Sequence, residues 1–161
     1  MEFKYHILVG ALVAYIISII FNLDFLTGFI IFSASILIDF DHYLWYSLET
    51  KDWNPLSAVR WYIHHGSRWK EISKKERDKY KSGVYIFHNW IFWTVLIILG
   101  YFVSYYFYLI LIGFAIHIIP DLVVLAYEKG PIMQKISMGY IIKKNKGKKS
   151  IEEYNKYFKN R

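Results

Sequence analysis

Cysteine is absent from the 161 residues, which excludes disulfides and thiolate ligands and leaves the redox compartment unmarked. Any metal must be held by nitrogen and oxygen. Charge is missing over long stretches. Between Val84 and Tyr127 the single acidic or basic side chain is Asp121, and Met1–His42 carries five: Glu2, Lys4, Asp24, Asp39 and Asp41. Residues 43–83 hold nine Lys/Arg against five Asp/Glu, and residues 128–161 hold ten against three, so with Lys4 every basic residue is placed. The chain is 55% apolar and 20% aromatic with a formal net charge of +7, and its length fits one domain.

The apolar stretches are long enough to matter. A bilayer core about 30 Å thick needs roughly 20 helical residues. At 1.5 Å per residue, 3–21 reaches about 28 Å, 84–103 about 30 Å and 105–127 about 34 Å. Residues 25–38 reach only about 21 Å, but continuing to Tyr46 through "DFDH" gives about 33 Å, with Tyr43, Trp45 and Tyr46 as an interfacial belt. The connections near Asp24 and Ser104 lack Lys and Arg, whereas Lys4, the 47–83 loop and the 128–161 tail hold them all. Positive-inside logic then predicts an all-α, four-helix transmembrane bundle in the cell membrane, with both termini cytoplasmic and short amphipathic cytoplasmic helices. The organisation expected is one membrane-embedded domain over 1–161, its core at 1–127. A cleaved signal peptide fits less well because the first apolar run is too long, and a soluble core must hide 44 residues bearing one charge.

"NPLSAVRWYIHHG" predicts a short helix with Asn54 at the N-cap, Pro55 in the first turn and Gly66 past the end. Leu56, Val59 and Ile63 fall on one face, as in a helix lying on a membrane surface. "SKKE" at 73–76 and "SIEE" at 150–153 have capping-box spacing. "KKNKGKK" at 143–149 holds five lysines in seven residues, suited to anionic lipid headgroups or to topology alone. Nucleic acid is a poor partner, since the run has little aromatic interleaving and no recognisable module. A protein partner on the tail stays open.

The ionisable residues of the spans are a narrow choice. His6, His42, His88 and His117 with Asp39, Asp41 and Asp121 all lie towards the cytoplasmic ends, and Lys4, at the start of the first run, is the one Lys or Arg within the runs. A carboxylate near mid-bilayer costs about 2.5–3.5 kcal/mol, so these acids require a partner. One or two divalent cations satisfy carboxylates and imidazoles together. His117 and Asp121, at i and i+4, share a face across Pro120, and so do Asp39 and His42 at i and i+3. Asp41 points elsewhere unless the helix ends near it. His64 and His65 are adjacent and face apart; either can supply an extra ligand or a proton.

The order of these motifs, a histidine near the start, "DFDH", a histidine opening the third apolar run and "GFAIHIIPD", resembles the YdjM-like family of inner-membrane metal-dependent hydrolases, described as LexA-binding. The likeness spans residues 1 to about 127. It implies an all-helical relative of zinc-dependent phospholipase C, with Asp39, Asp41, His42, His117 and Asp121 as metal ligands and His88 as the matching third-helix histidine. Ile38 stands where the family has proline, and the central motif is split between "HHGS" and "FHNW". The function expected is a membrane-bound, zinc-dependent hydrolase of phosphoesters such as lipid headgroups. The alternative is a non-catalytic divalent-metal-binding protein or carrier. Haem ligation by paired histidines leaves three aspartates unexplained.

Overall fold

The long apolar runs fold as helices, and short polar caps divide them. The computed structural model describes residues 3–127, 131–150, 153 and 155. In chain order the helices are α1 (Phe3–Ile20), α2 (Phe25–Leu37), α3 (Phe40–Thr50), α4 (Pro55–Glu71), α5 (Lys74–Arg77), α6 (Trp90–Phe102), α7 (Tyr106–Tyr127), α8 (Met133–Ile136) and α9 (Met138–Asn145). Among the described residues the only β pairing is an isolated parallel bridge between Tyr80 and Lys149. Two helices are long and apolar enough to cross a membrane: Phe25–Thr50, counted through the turn after α2, and Tyr106–Tyr127. Lys4–Ile20 and Trp90–Phe102 are apolar but shorter.

Three expected boundaries move, each for a local reason. The second run breaks at Ile38–Asp39, where Asp39 N–H reaches back only three residues to the Ile36 carbonyl at 3.2 Å. The third run becomes helical at Trp90 rather than Val84. Asn89 caps it by accepting from Ile91 N–H at 3.2 Å, and the Phe87 carbonyl is taken by Trp93 Nε1 at 2.7 Å. His88 therefore stands in a turn ahead of α6. Helix α4 starts as predicted, with Asn54 Oδ1 accepting from Leu56 N–H at 2.9 Å, but it runs through Gly66 to Glu71. An interior glycine costs only about 1 kcal/mol, whereas the actual stop is the extended, buried Ile72 followed by the Ser73 cap.

The chain divides into two compact units: Met1–Phe40 with Ile86–Ser137, and Asp41–Tyr85 with Met138–Arg161. In the first unit α2 packs on α1 and α7, α1 packs on α7, and α6 packs on α7. Its interior is formed by Ala14, Ile31, Leu109 and Ile116 on one side, and by Ala34, Ile38, Leu96 and Phe114 on the other. Two glycines set the spacing. A Cβ on Gly113 would lie 2.5 Å from the Ile31 carbonyl oxygen and 2.9 Å from Ser35 N, so α7 meets the α2 backbone there. A Cβ on Gly10 would lie 2.3 Å from Ser35 Oγ, which is itself tied to the Phe32 carbonyl. Small residues at such crossings let apolar helices approach closely.

In the second unit the buried side chains include Trp45, Tyr46, Ala58, Ile72, Tyr80 and Ile141. The lysine-rich segment is tied into it through the backbone. Lys81 N–H donates to the Lys149 carbonyl at 3.0 Å, and Lys149 N–H to the Lys79 carbonyl at 2.9 Å. Asn145 clasps Ser82 by accepting from its N–H at 2.9 Å and donating to its carbonyl at 2.8 Å. Both expected caps form: Glu76 N–H donates to Ser73 Oγ, and Ser150 and Glu153 exchange the reciprocal bonds of a capping box.

Candidate metal centre

Helix spacing carries Gly113, His117 and Asp121 on one face of α7 at successive turns, and His6, Gly10 and Ala14 likewise on α1. The glycines that bring the helices together thus sit one turn from the imidazoles. His117 Nδ1 lies 2.8 Å from the Ser35 carbonyl oxygen. A carbonyl only accepts, so Nδ1 carries the proton and Nε2 presents its lone pair to the interior. That nitrogen is buried without a hydrogen-bond partner, 3.3 Å from Asp39 Oδ1 and 3.8 Å from Asp121 Oδ2. A lone pair directed at two carboxylates is unfavourable unless a cation lies among them.

The neighbours complete that picture. His6 Nε2 is 3.2 Å from Asp121 Oδ1, and its ring stacks on His117 with centroids 3.8 Å apart. His88 Nε2 is 3.9 Å from Asp39 Oδ1, its ring edge-on to His117 at 5.4 Å. His6, His88, His117 and Asp121 are buried, and the Asp39 side chain is 21% exposed, which makes it the wet edge of the cluster. Two triads, His6–His117–Asp121 and Asp39–His88–His117, each offer ligand atoms within 4.8 Å of one another. Ligands bound tetrahedrally at about 2.0–2.1 Å stand roughly 3.3 Å apart, which the shorter of these separations match. These buried His/Asp clusters can hold a metal ion.

The structure brings five of the seven expected ligands together: His6, Asp39, His88, His117 and Asp121 share the first unit. The other two, Asp41 and His42, lie in the second unit and pair with each other, His42 Nδ1 being 2.9 Å from Asp41 Oδ1. The helix break at Ile38–Asp39 is the condition under which Asp41 need not point away from its neighbours, and Asp41 is buried. His42 also stacks on Tyr85 at 3.9 Å, and its carbonyl accepts from the Tyr62 hydroxyl at 2.9 Å. His65 stacks on Trp61 at 4.2 Å, and burial pushes its imidazole down to about 4. His64 is exposed.

One participant was not foreseen. Lys135 Nζ lies 2.7 Å from Asp121 Oδ2, its side chain 22% exposed. Lys4 is the one lysine within the apolar runs, but α8 brings another in from beyond α7. Periodicity gives no signal for this, because a residue fourteen positions on and past a helix end has no fixed facing. Ser35 was equally hidden, since its contribution is a backbone carbonyl that every residue type possesses.

Comparison of this chain with family models, curated proteins and solved structures finds no match. The reading of the centre therefore stands on its chemistry.

Proposed function

We propose that this chain is a membrane-embedded, metal-dependent hydrolase of phosphoesters, acting at the cytoplasmic face. The reading is supported above all by His117, whose Nδ1–H is spent on the Ser35 carbonyl while Nε2 faces Asp39 and Asp121. A hydrogen bond from the far ring nitrogen to a backbone carbonyl is what fixes the tautomer of a metal-ligating histidine. His117 has one such lone pair, so the two triads that share it describe one ion, with Asp39 and Asp121 as its anionic ligands and His6 and His88 beside them. A divalent cation supplies Lewis-acid polarisation and an acidified water there. Nitrogen and oxygen donors suit zinc, the metal implied by the YdjM-like resemblance.

The chain's own groups do the rest. Asp39, at the exposed edge, sets the side from which a phosphoester approaches. Lys135, 2.7 Å from Asp121 Oδ2, would be released by a cation held on Asp121, and its ammonium suits a phosphate oxygen.

The membrane half of the proposal has four crossing helices, α1, α2 continued into α3, α6 and α7. Each carries exposed apolar side chains, among them Leu8 and Leu12, Phe25 and Phe29, Ile97 and Ile98, Ile119 and Val123. An apolar surface of that extent is unusual for a protein facing water. Helix α6 has thirteen residues, about 20 Å, so the turn bearing His88 lies within the membrane's edge. Passage of a cation through the bundle is disfavoured, because Ser18 and Thr94 spend their hydroxyls on the carbonyls of Ala14 and Trp90 in their own helices.

Elemental analysis of detergent-purified protein tests the centre, with Asp39→Ala and Asp121→Ala alongside. Near-stoichiometric metal in wild type and loss in both variants is expected. Retention in both ends the ligand assignment. Metal-loaded wild type inert towards soluble phosphodiesters and towards phospholipid vesicles ends the hydrolase reading, and turnover of only one class identifies the substrate source.

A further inference from the structure

Helix α4 is inside out. Its face towards the second unit's interior carries Ala58, which is buried, and Trp61, Tyr62 and His65, which are partly buried. The large aliphatic residues point away. Leu56 is 64% exposed, Val59 56% and Ile63 66%, at spacings of three and four that keep them on one stripe. Trp53, just ahead of the Asn54 cap, is 58% exposed and extends the stripe by an aromatic ring. A helix folded only against water has the reverse arrangement.

The charge of the unit that carries this stripe says what covers it. Seventeen of the twenty Lys and Arg belong to the second unit against eight Asp and Glu, whereas the first unit holds three against five. Arg60, exposed next to Val59, can lay its stem along the stripe and keep its guanidinium in water. The lysine-rich 145–149 segment is fastened to 79–82 in this same unit by the Tyr80–Lys149 bridge and the Asn145–Ser82 bonds. An aliphatic stripe with an aromatic end, on a strongly basic unit, fits an anionic bilayer surface, which rewards buried apolar area and each nearby cation together.

We propose that the Trp53–Leu56–Val59–Ile63 face of α4 inserts into the headgroup–acyl boundary of an anionic leaflet, with the second unit's lysines holding the phosphates around it. This rests on the membrane half of the proposed function and is independent of the metal. The natural absence of cysteine makes the test direct. Single cysteines replacing Leu56, Val59, Ile63, Arg60 and His64 in the full chain are labelled with a nitroxide in vesicles containing phosphatidylserine. Collision with oxygen and with a water-soluble nickel chelate is then measured, with Ile97 of α6 as a control.

A several-fold higher oxygen-to-nickel ratio at 56, 59 and 63 than at 60 and 64 is expected, falling in vesicles of phosphatidylcholine alone. Nickel access at all five α4 positions overturns the proposal, and so does shielding of 56, 59 and 63 from both reagents, which means that protein covers the face. An equal contrast in both lipids overturns the role of the lysines. Nickel access at 97 as well as on α4 refutes the membrane reading itself, whereas lipid exposure at 97 with water at 56, 59 and 63 refutes only this inference.

Discussion

Replacing Lys135 by methionine separates a structural ion pair from a placeholder for metal. Its ammonium is 2.7 Å from an Asp121 carboxylate whose side chain is 5% exposed, while Lys135 itself is 22% exposed. Breaking a fully buried pair costs about 3–5 kcal/mol and an exposed one under about 1, so roughly 2 kcal/mol is expected in metal-free protein. His6, 3.2 Å from the other oxygen, keeps the loss from being larger. Saturating zinc supplies the missing positive charge, so the cost vanishes in loaded protein, and by linkage the variant binds zinc about 30-fold more tightly. Unfolding in detergent, with and without zinc, and calorimetric titration measure the two sides of this cycle. Asp121→Asn in the Lys135→Met background recovers most of the lost stability, because no uncompensated carboxylate remains. Equal destabilisation with and without zinc, or unchanged zinc affinity, refutes the idea that ammonium and metal compete for Asp121.

Gly113→Ala drives a methyl to 2.5 Å from the Ile31 carbonyl; it is expected to cost about 1–3 kcal/mol and to lower metal occupancy by moving His117, read by unfolding and elemental analysis. Asn54→Ala removes the cap on Leu56 N–H and lowers stability by about 1 kcal/mol in chemical unfolding. His65 is held down to about 4 by burial, against 6.5 unfolded, so protons bind the unfolded chain first and stability falls as pH drops from about 6.5 towards 4. Thermal unfolding of wild type and His65→Gln across that range shows the difference, with the variant losing less. An identical slope in both refutes the assignment.

The histidine–aspartate set was legible because its constraint is local and energetic. Carboxylates in apolar runs are costly, so Asp39 and Asp121 announced a need for partners wherever the helices went. The i and i+4 spacing of His117 and Asp121 fixed their shared face, and the Asn54, Ser73 and Ser150 caps depend on bonds spanning two or three residues. Boundaries were less legible where a turn competes with an apolar run. Nothing in the hydropathy of 84–103 tells Val84 from Trp90, and the decision fell to Asn89 and to the Trp93 bond with the Phe87 carbonyl.

The order of residues by itself determined that the described chain is helical and that acids and imidazoles stand in its apolar runs; four crossing helices were expected, and two are long and apolar enough. Helical periodicity and the cost of apolar charge act over a few residues and need no partner. Tertiary structure alone decided which nitrogen of His117 faces inward, that Asp41 turns to His42, and that Lys135 returns to Asp121. Each of these depends on the separation of atoms brought together by packing, at Gly113 against α2 above all, and sequence spacing does not encode a distance between helices.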